Sequence, residues 1–374
     1  MKYIVGNAMT EKDLGHRRVQ CTGRGSYIIS LPKKWVQDVG LKRGSEIAFR
    51  VLDDSSLILI PRKAAEGGKD VNEPKLKEYW VLVEPKEDFG SICRKVKSLY
   101  VAGAELIRIR FKGKDNVSKL KTVINNLVRD TLLGSEIIDE TPNEFVIQIL
   151  IKHPEFPVEK AIRRMAIVAL SAHRDAILTL KNMDEGLVQN VMNAYNDANR
   201  LNLYVVRQLK FGVEQNLFRE LGFKTPKEFL AYRIVVNDVR SIAENARNIV
   251  NNIIAFRKMV ENQTLFLKEP IDEEVYSQIL SFNSLAHKLF EESIRATFKW
   301  DYKQADNIIS QTESLATLEN DIITLISSKK LDPNISAIFR LIFDSSRRIM
   351  EYSQNIAEVT LNKTVEEISS MQTS

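Results

Sequence analysis

The sequence predicts a multidomain α+β protein with a small β-rich head, a short α/β sandwich and a long all-α body. Three observations carry this. Of the 15 glycines, 12 lie before residue 158 and none follows Gly222, which assigns turn-rich structure to the front and long helices to the back. Charge is divided the same way. Residues 1–65 hold twelve basic and six acidic side chains, net +6, whereas the remainder holds 42 and 43, net −1, within a total of +5. Finally, a patterned helical segment recurs 107 residues further on.

At 374 residues and 42.8 kDa the chain exceeds one core and calls for two or three units at roughly 150 residues each. Hydrophobic residues at 44% and charged residues at 28% exclude a largely disordered chain. Cys21 and Cys93 are far apart and the four histidines are scattered, so the pattern offers neither a disulfide framework nor a zinc motif. There is no apolar run of the ~20 residues a membrane span needs. Residues 1–10 lack a basic stretch followed by an apolar one, so a reduced, cytoplasmic protein without membrane insertion is expected.

In the head, Arg17–Gln20 and Tyr27–Leu31 read as short strands about a Gly-flanked turn at Arg24. Pro32–Gly40 reads as a short helix with Pro at its first position, and Glu46–Leu52 with Ser56–Ile60 as a hairpin. Such a unit is too small to bury its own core and is expected to pair with a second copy. Cys21 is expected to be a small buried strand residue. The polar, Gly- and Pro-bearing run 66–76 is a linker. Between 77 and 153 the order strand, helix, strand, helix, hairpin gives a small α/β sandwich. From 154 to 366 the spacing predicts six helices, at about 157–182, 186–221, 226–260, 270–298, 301–328 and 333–365, with 367–374 a flexible tail. The second helix carries an i+4 stripe of Leu201, Val205, Leu209, Val213 and Leu217. The repeat sets Val235, Ile242 and Ile249 against Ile342, Ile349 and Ile356, with Arg240, Glu244 and Asn248 matched by Arg347, Glu351 and Asn355. Two related three-helix units follow from it.

The basic side chains of the head, Arg17, Arg18, Arg24, Lys33, Lys34 and Arg43, are candidate contacts to the phosphate backbone of double-stranded DNA. Two paired copies would carry about +12, the footprint of nucleic-acid binding. In the body, Glu244 and Glu351 are the weak metal candidates. An arginine four residues before each makes an intrahelical ion pair the simpler reading, so no metal or other cofactor is expected. Those arginines could alternatively meet an oxyanion or an acidic partner, a reading the neighbouring glutamates weaken. His173 near Asp175 reads as a polar contact in the bundle. No nucleotide loop, nucleophile elbow or zinc motif is present, and an enzyme is not expected.

Residues 18–61, with the Leu31-Pro32-Lys33 step, the Gly40-Leu41-Lys42-Arg43-Gly44 turn and the terminal Ile60-Pro61, resemble the AbrB/MazE/SpoVT swapped-hairpin DNA-binding domain. The resemblance implies that two chains interleave hairpins into one barrel. The acid usual after Gly44 is Ser45 here, followed by Glu46. The helical region resembles the PhoU family of phosphate-uptake regulators through Arg163-Arg164-Met165, His173-Arg174-Asp175-Ala176, Asn199-Arg200-Leu201, Val206-Arg207-Gln208-Leu209 and the repeated Asn-Ile pairs. It implies two three-helix bundles, and together the modules resemble archaeal regulators joining both. The implied function is a homodimeric transcriptional regulator of phosphate homeostasis whose body contacts phosphate-transport or sensory proteins. A metal-binding transporter adaptor whose head only dimerises, and a low-specificity chromatin protein, are the alternatives. Where that family places acids for metal clusters, this chain has Asn199, Arg240 and Arg347.

Overall fold

The computed structural model describes residues 14–23, 25–51, 56–61, 76–112, 117–151, 156–182, 184–215, 217–261, 272–329 and 331–370. It divides into two compact units, Met1–Pro74 and Lys75–Ser374. The α/β elements and the helical body thus share the second unit, and the 66–76 linker lies almost wholly outside the described residues.

In the first unit, β1 (Gln20–Thr22) pairs antiparallel with β2 (Ser26–Ile28), α1 follows (Lys33–Asp38), and β3 (Ile47–Val51) pairs antiparallel with β4 (Leu57–Pro61). Pro32 is the N-cap of α1 rather than its first residue, and its carbonyl accepts from the Val36 N–H at 3.0 Å. The helix ends at Asp38, and the chain turns away at Gly40, whose φ of +71° costs glycine little. The Leu41 N–H then reaches back to the Val36 carbonyl at 3.0 Å. None of the described residues of this unit is buried. In the β3–β4 ladder Phe49 faces Leu59 and Val51 faces Leu57 across the register, so one face is apolar on both strands. That face is open: Phe49 is 66% exposed and Val51 64%.

The second unit begins with β5 (Glu78–Val83), α2 (Phe89–Val101), β6 (Leu106–Phe111), α3 (Val117–Thr131), β7 (Ser135–Glu140) and β8 (Glu144–Ile149). The sheet order is β5-β6-β8-β7, parallel only between β5 and β6, with a register shift between Ile137 and Asp139. Strand alternation puts Ile107, Ile109, Phe145 and Ile147 on the face covered by Ile92, Val96 and Tyr100 of α2 and by Leu120, Ile124 and Val128 of α3. The Asp88 carboxylate caps α2 by accepting from the Ser91 N–H at 2.8 Å.

The body comprises α4 (Val158–Asn182), α5 (Glu185–Gln215), α6 (Lys227–Glu261), α7 (Glu273–Lys299), α8 (Tyr302–Glu313), α9 (Ala316–Ser328) and α10 (Pro333–Ser370). The heptad residues of the repeat all sit in its core, each at most 1% exposed. The chain therefore combines a small strand-rich N-terminal region, a sheet with two helices, and an all-helical C-terminal region.

Several details of the body depart from the sequence reading, and one is that α5 ends at Gln215 rather than at about 221. The helix expected at 301–328 is two: α8 ends at Glu313, and a turn at Ser314 and Leu315, whose N–H groups reach the Ser310 and Thr312 carbonyls at 3.3 and 3.2 Å, separates it from α9. On α5, Val213 is 63% exposed while Val205 and Leu209 are buried. Steps of four residues drift around a helix of 3.6 per turn, and the stripe rotates out of the core by its fourth member. Finally, α10 runs to Ser370, past the boundary expected at 366. Among the described residues no helix is long and apolar enough to cross a membrane.

Candidate functional site

Arg17 and Arg18 lead into β1, Lys33 and Lys34 form the first turn of α1, and Arg43 lies in the turn that Lys42 and Ser45 close through the Ser45 N–H at 3.0 Å. All five are exposed, and among the described residues none is paired with a carboxylate. The Arg17 guanidinium donates only to the His16 carbonyl, at 2.8 Å. Arg24 lies outside the described residues. Cys21 is exposed, contrary to the expected burial, because among the described residues nothing covers the β1–β2 ladder, every residue of which is exposed.

In the body, both arginine–glutamate pairs are present. Arg240 donates to Glu244 at 2.9 Å, and Arg247 reaches the same carboxylate at 3.6 Å. Arg347 pairs with Glu351 and also, at 2.9 Å, with Asp344. Among the described residues no three His, Cys, Asp or Glu side chains are grouped to hold a metal ion. His173 is fully buried, and its ring stands 5.5 Å from that of His287. Burial, with a smaller contribution from His287, pushes its pKa down to about 3, so the imidazole is neutral. Asp175 is instead engaged by Arg174 at 3.4 Å.

Sequence reasoning missed the junction between the α/β elements and the bundle. Arg207 of α5, almost completely buried, donates to the Tyr100 carbonyl at the end of α2 at 2.6 Å and lies over the Tyr100 ring. Beside it a cleft of about 660 Å³ opens between α2 and α3 on one side and α5 and α6 on the other. Lys97 and Arg240 reach it from opposite sides, and Asn196, Asn199 and Asn202 of α5 line its wall. The i+3 spacing of those asparagines was the available signal, since it sets three amides along one helix face.

Residues 20–66 match the family model described as antidote-toxin recognition MazE, bacterial antitoxin, and residues 162–253 match that of the PhoU domain. The chain therefore carries a MazE/AbrB-like domain at its N-terminal end and a PhoU domain in its helical body. Among curated proteins none matches significantly in sequence. Among solved structures, PhoU from Pseudomonas aeruginosa is 18% identical over 55% of this chain and 93% of its own, with a TM-score of 0.46. The phosphate transport system regulatory protein PhoU from Streptococcus pneumoniae is 13% identical over 55% and 91%, with a TM-score of 0.44.

Proposed function

We propose that this chain is a cytoplasmic, homodimeric transcriptional regulator of phosphate uptake, which binds operator DNA through its head and receives its signal through its helical body. The observation that carries the reading is the state of the head in a single copy. Among the described residues its hairpins bury nothing, expose one apolar ladder face, and leave Arg17, Arg18, Lys33, Lys34 and Arg43 without carboxylate partners. A second chain supplies the missing cover, and pairing doubles the basic surface. Each lysine or arginine that then neutralises a phosphate releases condensed counterions, so affinity should fall steeply with salt. The chain acts by binding, and its body works through contacts with phosphate-transport or sensory proteins.

The test is fluorescence anisotropy of the intact protein on duplex DNA from a phosphate-transport promoter and on random duplex, across a salt series. Lys33→Ala and Arg43→Ala should weaken binding and lower the slope of log K against log salt by about 0.9 per lost contact in each half-site. Unchanged slopes in both variants would place the DNA contacts elsewhere. Equal affinity for both duplexes would favour the low-specificity alternative.

A further inference from the structure

We propose that the cleft between α2, α3, α5 and α6 is a binding site for a small molecule bearing a phosphate group, of about nucleotide size. The two repeats of the body provide an internal comparison. In the second, Arg347 and Arg348 together meet two carboxylates, Arg347 pairing with Asp344, which it shares with Arg348, and with Glu351, and Arg347 lies within electrostatic reach of Glu319. In the first, the residue corresponding to Asp344 is Asn237, and Arg240 shares its one carboxylate, Glu244, with Arg247. The cleft beyond Arg240 presents the amides of Asn196, Asn199 and Asn202. The same helix position is thus neutralised in one repeat and left with excess positive charge in the other.

The rest of the cleft adds to that excess. Lys97 enters from α2, and among the described residues it has neither an ion-pair nor a hydrogen-bond partner. Asp130, the acid on the α3 side, is already engaged by Arg129 at 2.9 Å, which holds its carboxyl below the usual range. The Asn202 side-chain oxygen and the Arg200 Nε are buried without a hydrogen-bond partner, so polar capacity at this junction is unused. A lysine and a guanidinium facing each other across a cleft suit an oxyanion, the guanidinium through paired N–H donors. Asparagine amides both donate and accept, matching the mixed edge of a nucleobase or the hydroxyls of a sugar. At about 660 Å³ the space exceeds what an orthophosphate fills and lies within the range of small-molecule sites. Such a ligand would bridge α2 and α3 to α5 and α6.

Isothermal titration calorimetry of the intact protein without DNA, against adenosine monophosphate, guanosine monophosphate and orthophosphate with sulfate as control, tests this independently of the DNA-binding reading. The result expected is saturable binding of a phosphate compound over sulfate, weakened about tenfold or more by Lys97→Ala and by Asn199→Asp, which returns a carboxylate to the wall. Tighter binding of a nucleotide than of orthophosphate identifies the nucleoside as part of the ligand, while equal binding reduces the ligand to the phosphate group and overturns the nucleotide-size assignment. Absence of binding at about millimolar ligand, or binding undiminished in both variants, overturns the site. Because no DNA is present, a failed titration leaves the head's reading standing, and a failed anisotropy series leaves the cleft's.

Discussion

Phe49→Ala tests the proposed dimerisation of the head quantitatively. Phe49 lies on the apolar face of the β3–β4 ladder, opposite Leu59, and is 66% exposed in the single chain. Complete burial of a phenylalanine side chain contributes about 2.5 kcal/mol, so covering the exposed two thirds is worth about 1.7 kcal/mol per chain. A symmetric interface uses the residue twice, and truncation should cost the dimer about 3.3 kcal/mol, roughly a 300-fold rise in its dissociation constant. Sedimentation equilibrium of the full-length protein reads that constant directly. Leu230→Ala is the control, because Leu230 on α6 is 72% exposed and belongs to the other unit. A shift below about threefold for Phe49→Ala, or equal shifts for both variants, would refute the argument that a second head covers this face. If the head binds DNA as proposed, DNA affinity should fall in parallel, since only a dimer would grip both half-sites.

Three further outcomes follow from the body. Gly212→Ala should destabilise by about 1–3 kcal/mol in urea unfolding, because a Cβ there would stand 2.4 Å from Leu221 Cδ1 and 2.8 Å from Phe229 Cζ. Arg207→Met should cost about 1.5–3 kcal/mol, since the Tyr100 carbonyl loses its charged donor, and should open the α2–α5 junction to limited proteolysis. His173 has a folded pKa near 3 against an ordinary 6.5, so the unfolded chain binds the extra proton between those values. Its contribution, up to about 4–5 kcal/mol, is complete above pH 6.5 and is lost as pH falls toward 3. Asp238 works in the opposite sense: burial pushes its carboxyl up to about 6, and stability is lost as pH rises from 3.8 through that value. The slope should therefore be read in an Asp238→Asn background, where His173→Leu must flatten it between pH 6.5 and 4.5.

What the sequence disclosed depended on whether the information was local or relational. The repeat was legible because seven-residue spacing places Val235, Ile242 and Ile249 on one helix face, and their counterparts likewise, and all six are buried. The five candidate DNA-contacting charges of the head that lie within the described residues were legible as a composition bias, and each is exposed. Three features were not. Burial of Cys21 was expected from strand character, but a strand buries only what another layer covers, and among the described residues nothing covers β1 and β2. His287 was read as one of four scattered histidines, although packing of α7 on α4 sets it against His173, more than a hundred residues away. The cleft depends on the same kind of relation. Lys97 on α2 and Arg240 on α6 carry no shared motif, and only the seating of α2 on α5, fixed in part by Arg207 and Tyr100, makes them neighbours of one wall of asparagines. The charge bias that draws attention to the head therefore understates the body. Its net charge near zero conceals an Arg347 held by two carboxylates and an Arg240 that shares a single one with Arg247.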